Sequence, residues 1–199
     1  MKPNFFHLAT NELSQSAFWA WLLQWGDPQK KDYDAALCAC AQDFIRLLIG
    51  QEFPGQPPVI NKAIARCQYQ NVDVWAEIND EFLIIIEDKT HTGEQGNQLE
   101  RYRQLAEEQW VKQKQKPGNK LVCIWLKTGA ASRQSEDYIR KNGFLPVERE
   151  ALRCLFNNAH VKNDIFSDFT DKLNAQHQAE QSYTELPISK WDWNSWIGF

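Results

Sequence analysis

The sequence lacks the signals of a secreted or membrane-spanning protein. Its five cysteines form no C-x-x-C pair and are odd in number, so we predict reduced and mostly buried thiols. No segment approaches the roughly 20 apolar residues that a membrane span needs, and the first residues do not resemble a signal peptide. We therefore expect a cytoplasmic protein.

An excess of positive charge is also missing. The net charge is −4 and the pI about 5.6, which argues against a large permanent nucleic-acid footprint, because phosphate contacts dominate such affinity. It does not exclude catalysis at a single phosphate, since a bound metal offsets local repulsion. One acid-free basic run, from Lys112 to Lys120, is a local exception. No G-x-G-x-x-G follows any predicted strand, which disfavours a Rossmann-type enzyme.

The bulk composition predicts an ordinary globular chain. Its 199 residues are 43% hydrophobic, enough for one domain with a substantial core. We expect a core over about 8–155 and a helical extension over about 160–199. Most of the nine tryptophans fall in the first predicted helix or near the end of the chain. The apolar ending from Trp196 to Phe199 must pack on something, either its own domain or, in a homo-oligomer or with a protein partner, another chain.

Periodicity and turn signals predict alternating helices and strands. Asn11 is a suitable cap for a helix that ends near Trp25, with Leu13, Ala17, Trp21 and Trp25 on one face. The remaining predicted elements are a helix over 33–49, strands over 59–70, 71–78 and 81–89, a helix to about 113, a strand over 120–126, a helix over 135–141, a strand over 144–147, and helices over 149–156 and 162–180. This α-α-β-β-β-α-β-α-β order predicts an α/β fold, with the apolar strand over 120–126 central.

Two acids lie on the predicted hairpin over 71–89, whose turn is Asn79-Asp80. Because strand side chains alternate faces, Leu83, Ile85, Glu87 and Lys89 point one way and Ile84, Ile86 and Asp88 the other. A buried carboxylate without a partner is costly, and a single lysine cannot satisfy both Asp73 and Glu87. A divalent cation bound by both acids removes that cost.

The strand Asp73 followed by Glu87-Asp88-Lys89 on the next strand resembles the PD-(D/E)XK nuclease superfamily, although Val72 replaces the proline of the family name. The resemblance covers roughly 8–155. It implies a restriction-endonuclease-like αβββαβ core with a central mixed sheet flanked by helices. In a similar bacterial branch, an N-terminal helix carries an extra acid and closes with Asp-Pro, which here corresponds to Glu12 and to Asp27-Pro28.

The segment from Gln98 to Tyr102 resembles the Q-h-x-x-Y element of RecB-like nucleases. The two residues are i and i+4 and therefore neighbours on one helical face. By this resemblance they position the phosphate backbone or a DNA end; an ordinary polar helix face is the alternative. His91 we interpret as a loop histidine rather than the general base.

The resemblance implies a Mg²⁺-dependent nuclease that hydrolyses phosphodiester bonds, with Mn²⁺ as a possible substitute. Asp73, Glu87 and the backbone carbonyl of Asp88 would hold the metal, a donor set that suits Mg²⁺. The Asp88 side chain faces away and is interpreted as non-catalytic. Lys89 would orient the attacking water or stabilise developing charge, and Glu12 would assist.

DNA is the implied substrate, and a bacterial or phage role in DNA processing or anti-phage defence is the implied context. A rival from another class stays open, because the acidic pI and the apolar tail also suit a catalytically silent binding or assembly module that keeps the same fold.

Overall fold

A computed structural model describes residues 4–55, 57–89, 97–112, 118–129 and 133–199. Its centre is a five-stranded mixed sheet in the order β1-β2-β3-β4-β5. The strands are β1 (Ala63–Tyr69), β2 (Val72–Ile78), β3 (Phe82–Lys89), β4 (Lys120–Lys127) and β5 (Leu145–Glu148). β1, β2 and β3 pair antiparallel, whereas β3, β4 and β5 pair parallel. The predicted β-β-β-α-β-α-β order is therefore confirmed, and β4 is an interior strand next to the middle strand β3.

Two tight turns connect the antiparallel strands. Gln70 and Asn71 join β1 to β2, and Asn79 and Asp80 join β2 to β3, all with φ between 54° and 64°. The β1–β2 turn has two residues between the paired Tyr69 and Val72, and the β2–β3 turn has three between Ile78 and Phe82. Left-handed conformations suit such tight turns between twisted strands, and Asn and Asp tolerate them better than most residues. The turn at Asn79-Asp80 fixes the register of β2 on β3, and through it the position of Asp73 relative to Glu87.

Helices cover both faces of the sheet. They are α1 (Glu12–Trp25), α2 (Ala35–Glu52), α3 (Gln98–Ala106), α4 (Arg133–Lys141), α5 (Arg149–Asn157), α6 (Asp164–Gln181) and α7 (Trp193–Gly198), and α3 continues as a π-helix over Glu107–Lys112. α1 begins where predicted, because the Asn11 side chain accepts a hydrogen bond from the Ser14 backbone N–H. None of the described helices is long and apolar enough to cross a membrane.

The sheet separates two apolar layers. On one face Ile84 and Ile86 of β3 pack with α1, α2, α5 and α6, and Phe169 of α6 stacks on Phe18 of α1 at 3.8 Å. On the other face Leu83 and Ile85 pack with residues of α3, α4 and β4. The predicted alternation along β3 is thus observed, and it sends Glu87 and Lys89 toward α3.

The face of α1 that Leu13, Ala17, Trp21 and Trp25 share is not its buried face. Leu13 is 54% exposed, whereas Phe18, Trp19, Leu22 and Leu23 are buried. The helix is apolar around most of its circumference, so its periodicity does not single out one face. Contacts with β1, α2 and α6 decide which side is buried.

The aromatic tail packs only in part. Trp191 contacts the rings of Tyr183, Trp196 and Phe199, but Trp193 is 77% exposed and Phe199 78% exposed. The ending from Trp196 to Phe199 therefore packs only in part on the described residues, and a partner for the tail stays a prediction.

Candidate active site at the carboxyl end of β3

The candidate site lies where β3 and β4 end. Glu87 is directly opposite Trp125 in the parallel pairing, and Lys89 is opposite Lys127. α3 begins beside this edge, at Gln98, and the start of α1 brings Glu12 toward it. Side chains from two helices and three strands can therefore meet at one edge of the sheet.

Glu87 is the centre of the cluster. Glu87 is 1% exposed, and its carboxylate forms an ion pair with Lys89 Nζ at 2.7 Å. The carboxylate also accepts a hydrogen bond from Gln98 Nε2 at 3.0 Å. The same Gln98 nitrogen donates to the Tyr102 hydroxyl at 2.7 Å. The predicted i, i+4 pair therefore meets as expected, and it contacts the predicted acid directly. Their role in positioning the substrate stays a prediction.

Asp73 approaches the same peptide from β2. Its Oδ2 accepts a hydrogen bond from the Asp88 backbone N–H at 2.9 Å, which places it beside the bond that joins Glu87 to Asp88. Its Oδ1 accepts from Gln68 Nε2 at 2.8 Å. The charges of Asp73 and Glu87 both act on Lys89 and on Tyr102, so the two acids belong to one cluster.

Gln68 was not predicted, and its backbone is unusual. It has φ of 51° near the end of β1, a left-handed conformation that few non-glycine residues adopt. Strained residues of this kind concentrate at functional sites. Here the conformation accompanies the hydrogen bond to Asp73. Sequence alternation contains no signal for it, because a regular strand is predicted through this position.

Lys89 remains an ammonium ion. Burial acts to lower its pKa, but the ion pair with Glu87 and the charges of Glu12 and Asp73 raise the pKa above its ordinary value. Glu12 therefore lies within electrostatic reach of Lys89. Whether each of these residues acts in catalysis stays a prediction.

The Asp88 side chain points to the opposite face, as the alternation predicts, but it is completely buried. Neither of its oxygens has a hydrogen-bond partner among the described residues, and the indole N–H of Trp19 is near without meeting hydrogen-bond geometry. Burial raises the pKa of Asp88 well above its ordinary value, and the nearby charges of Asp73 and Glu12 act in the same direction. Trp19 and Lys172 oppose them.

A polar network lies under α1 on that side. Gln15 is buried and accepts hydrogen bonds from the Thr128 hydroxyl at 3.3 Å and from Lys172 Nζ at 3.2 Å. Sequence analysis missed these residues. Gln15 does not stand out in the sequence, since α1 also contains Glu12, Ser14, Ser16 and Gln24.

The donor set suits a hard divalent cation. Asp73 and Glu87 supply carboxylate oxygens, which Mg²⁺ and Mn²⁺ prefer, and Mg²⁺ is often held by only one or two protein carboxylates. Within the part of the chain that the structure describes, no group of three or more His, Cys, Asp or Glu has the spacing of a metal site. The metal and the role of the Asp88 carbonyl therefore stay predictions.

Two earlier predictions concern residues outside the described part of the chain. His91 lies there, as does most of the basic run between Lys112 and Lys120. Lys120 itself begins β4 and pairs with Glu81 at 2.6 Å, at the opposite end of the sheet from Glu87.

Comparison with known proteins agrees with this geometry. The family model of the PD-(D/E)XK nuclease superfamily matches residues 3–192. No curated protein and no solved structure matches the sequence. Because the family match spans nearly the whole chain and includes every residue of the site, the chain belongs to the PD-(D/E)XK nuclease superfamily.

Proposed function

We propose that the protein is a Mg²⁺-dependent nuclease that hydrolyses phosphodiester bonds of DNA, with Mn²⁺ able to substitute. The observation that carries the proposal is the arrangement around Glu87. A buried carboxylate is held between an ammonium group and an amide from α3, while the carboxylate of Asp73 is fixed against the next peptide. Two strand acids and a lysine at one sheet edge suit hydrolysis of a phosphate ester.

Asp73, Glu87 and the backbone carbonyl of Asp88 would hold the metal. When bound, the metal supplies Lewis acidity and favours hydroxide over water near neutral pH. The chain's own residues set the orientation of these ligands. Gln68 and the Asp88 N–H each occupy one oxygen of Asp73, and Lys89 with Gln98 hold Glu87.

Lys89 acts as a cation rather than as a base. Its raised pKa keeps it protonated at neutral pH, so it donates hydrogen bonds to the attacking water or to a phosphoryl oxygen and stabilises developing negative charge. Glu12 supports this role by favouring the charged form of Lys89. Gln98 and Tyr102 lie beside Glu87, where they position the substrate backbone.

DNA is the substrate class that the resemblance to RecB-like nucleases implies, and DNA processing or anti-phage defence is the matching context. The net charge of −4 favours engagement through a local contact at the site over a long basic surface.

The test is cleavage by the purified protein. Linear, circular and single-stranded DNA, and RNA, are incubated with Mg²⁺, Mn²⁺ or EDTA. We expect DNA cleavage with either metal, none in EDTA, and none by the Asp73→Ala or Lys89→Ala variants. Cleavage by Lys89→Ala as fast as by the parent would contradict the proposal.

A binding or assembly module is the second candidate, and the exposed aromatic tail favours it. Trp196 is 53% exposed and Phe199 78% exposed, which is unusual without a partner. Metal-dependent melting separates the two functions. A working site predicts a rise of several degrees with Mg²⁺ or Mn²⁺ that is lost in Glu87→Ala. No rise, together with no cleavage, supports the module.

A further inference from the structure

Lys127 is a buried lysine at the edge of the candidate site. It ends β4 and is only 6% exposed. Its ammonium group lies over the ring of Trp125 at 5.2 Å. No described residue accepts a hydrogen bond from it or forms an ion pair with it. A buried ammonium normally has an anionic partner, because leaving it unpaired is costly.

The position of Lys127 is fixed by strand pairing. It is directly opposite Lys89 on β3 and Glu148 on β5. Residues opposite each other in neighbouring strands share a face of the sheet, and the Trp125 contact confirms this side for Lys127. Neighbouring strands are about 4.8 Å apart, so Lys127 is one strand away from the Glu87–Lys89 pair.

The nearby acids do not neutralise Lys127. Lys89 and Gln98 both contact Oε1 of Glu87. Glu12 and Glu148 act on Lys127 only at a distance. Partial burial, followed by the charge of the neighbouring Glu136, raises the pKa of Glu148. Lys89 and Lys127 are therefore paired across β3 and β4, and of the two only Lys89 forms an ion pair with a described carboxylate.

We propose that Lys127 forms a phosphate subsite next to the scissile position, where its ammonium group binds an oxygen of a phosphate that flanks the bond being cut. This inference rests on the proposed function. A substrate phosphate would supply the anion that the described residues do not provide. Lys127 thus acts in substrate binding, whereas Lys89 acts at the reacting phosphate.

The test measures how salt affects DNA binding. For each phosphate that a lysine neutralises, the slope of log affinity against log salt concentration changes by about 0.7 to 0.9. Binding is measured with a fluorescent DNA oligonucleotide in Mg²⁺ in the Lys89→Ala background, which the proposed function predicts to be inactive. Adding Lys127→Met should reduce the slope by about one. The methionine keeps the apolar stem over Trp125, so the fold should persist.

Lys120→Met is the matched control. Lys120 begins the same strand and also lies over an aromatic ring, that of Phe82 at 4.7 Å, but it is at the far end of β4. It should leave the slope unchanged. Lys127→Arg keeps the charge and should retain most of the slope. In the otherwise natural protein, Lys127→Met should raise KM about tenfold with a smaller change in kcat.

The outcomes separate the two proposals. If the parent cleaves DNA but Lys127→Met leaves the slope unchanged, or lowers it no more than Lys120→Met, the subsite is wrong and the nuclease stands. If the parent neither binds nor cleaves nucleic acid, the proposed function fails and the subsite fails with it. Oligonucleotides with and without a 5′-phosphate identify the bound group. A slope loss with both supports an internal phosphate, and a loss confined to the phosphorylated one supports a terminal phosphate.

Discussion

The two ends of β3 and β4 carry ion pairs that differ in burial. At the start of β4 and the turn before β3, Lys120 pairs with Glu81, and the two side chains are 39% and 45% exposed. At the other end, Glu87 is 1% exposed and its partner Lys89 has a side chain 13% exposed. The same two strands therefore carry a solvated ion pair at one end and a buried one at the other.

This difference separates surface charge from site charge. A solvent-exposed pair contributes about 0–1 kcal/mol and can be lost at little cost. A buried pair has a large desolvation penalty that its own attraction barely offsets. A chain that buries Glu87, Asp88 and Lys127 at one edge and covers most of Lys89 is less stable than it could be. Perturbed groups of this kind concentrate at functional sites.

The largest expected effect is on catalysis. Lys89→Ala should lower the rate of DNA cleavage by about 10²–10³-fold or more, because it removes a cation at the reacting phosphate. Lys120→Ala, the matched change at the other end, should stay within about twofold. Initial rates on plasmid DNA in Mg²⁺ measure both. Equal cleavage rates for Lys89→Ala and Lys120→Ala would show that the end of β3 has no special role in catalysis.

A second buried ion pair, near the candidate site, allows the two ends to be compared by the free energy of unfolding. Arg149 is paired with Glu180, with side chains 11% and 8% exposed, and also donates to the Thr128 carbonyl at 3.0 Å. Arg149→Ala should lower the free energy of unfolding by about 3–5 kcal/mol, because it leaves Glu180 buried and unpaired. Lys120→Ala should cost no more than about 1 kcal/mol. Urea denaturation in EDTA checks this, and similar losses for both would contradict it.

Residues that hold a ligand in place should have a moderate effect. Gln98→Ala removes the amide that contacts Glu87 and should weaken Mn²⁺ affinity about tenfold, as loss of a group that orients a metal ligand commonly does. Gln104→Ala is the control, since Gln104 is on the same helix but donates to Glu100 at 3.3 Å. Titration calorimetry measures both, and unchanged affinity in Gln98→Ala would show that Gln98 does not support the acid.

Asp88 gives a prediction for pH. Burial raises the pKa of Asp88 in the folded protein. At pH values between the unfolded and the folded pKa, the folded state therefore keeps a proton that the unfolded state has lost. The contribution of Asp88 to stability is therefore fully present below its unfolded pKa, about 3.9, and is lost as the pH rises toward its folded pKa.

Asp88→Asn should remove this component. In EDTA, the stability of the Asn variant relative to the parent should increase between pH 4 and pH 8. Denaturation at several pH values measures the difference, and a constant difference across that range would show that Asp88 is not protonated in the folded state.

The hairpin and the site acids were predictable from the sequence for a physical reason. Side chains of β3 alternate between faces with a period of two, so Glu87 and Lys89 had to share a face. The Asn79-Asp80 turn fixes the register of β2 on β3, which sets the position of Asp73 relative to Glu87. The i, i+4 relation of Gln98 and Tyr102 was equally local. Both inferences depend on neighbours in sequence.

What the sequence could not supply depends on packing between distant segments. The buried face of α1 is set by contacts with β1, α2 and α6, and the periodicity of the helix alone does not identify it. Lys127 was missed because the predicted strand stopped one residue short of it. A second apolar strand ending in lysine was a usable signal, but its burial depends on partners far along the chain. The conformation of Gln68 leaves no trace in composition or period.

The most direct test of the central claim is anomalous diffraction from crystals grown with Mn²⁺. If acids from β2 and β3 share a cation, an anomalous peak should contact carboxylate oxygens of both Asp73 and Glu87, and it should vanish in Glu87→Ala. No peak at this edge of the sheet, or a peak that contacts neither carboxylate, would contradict the account.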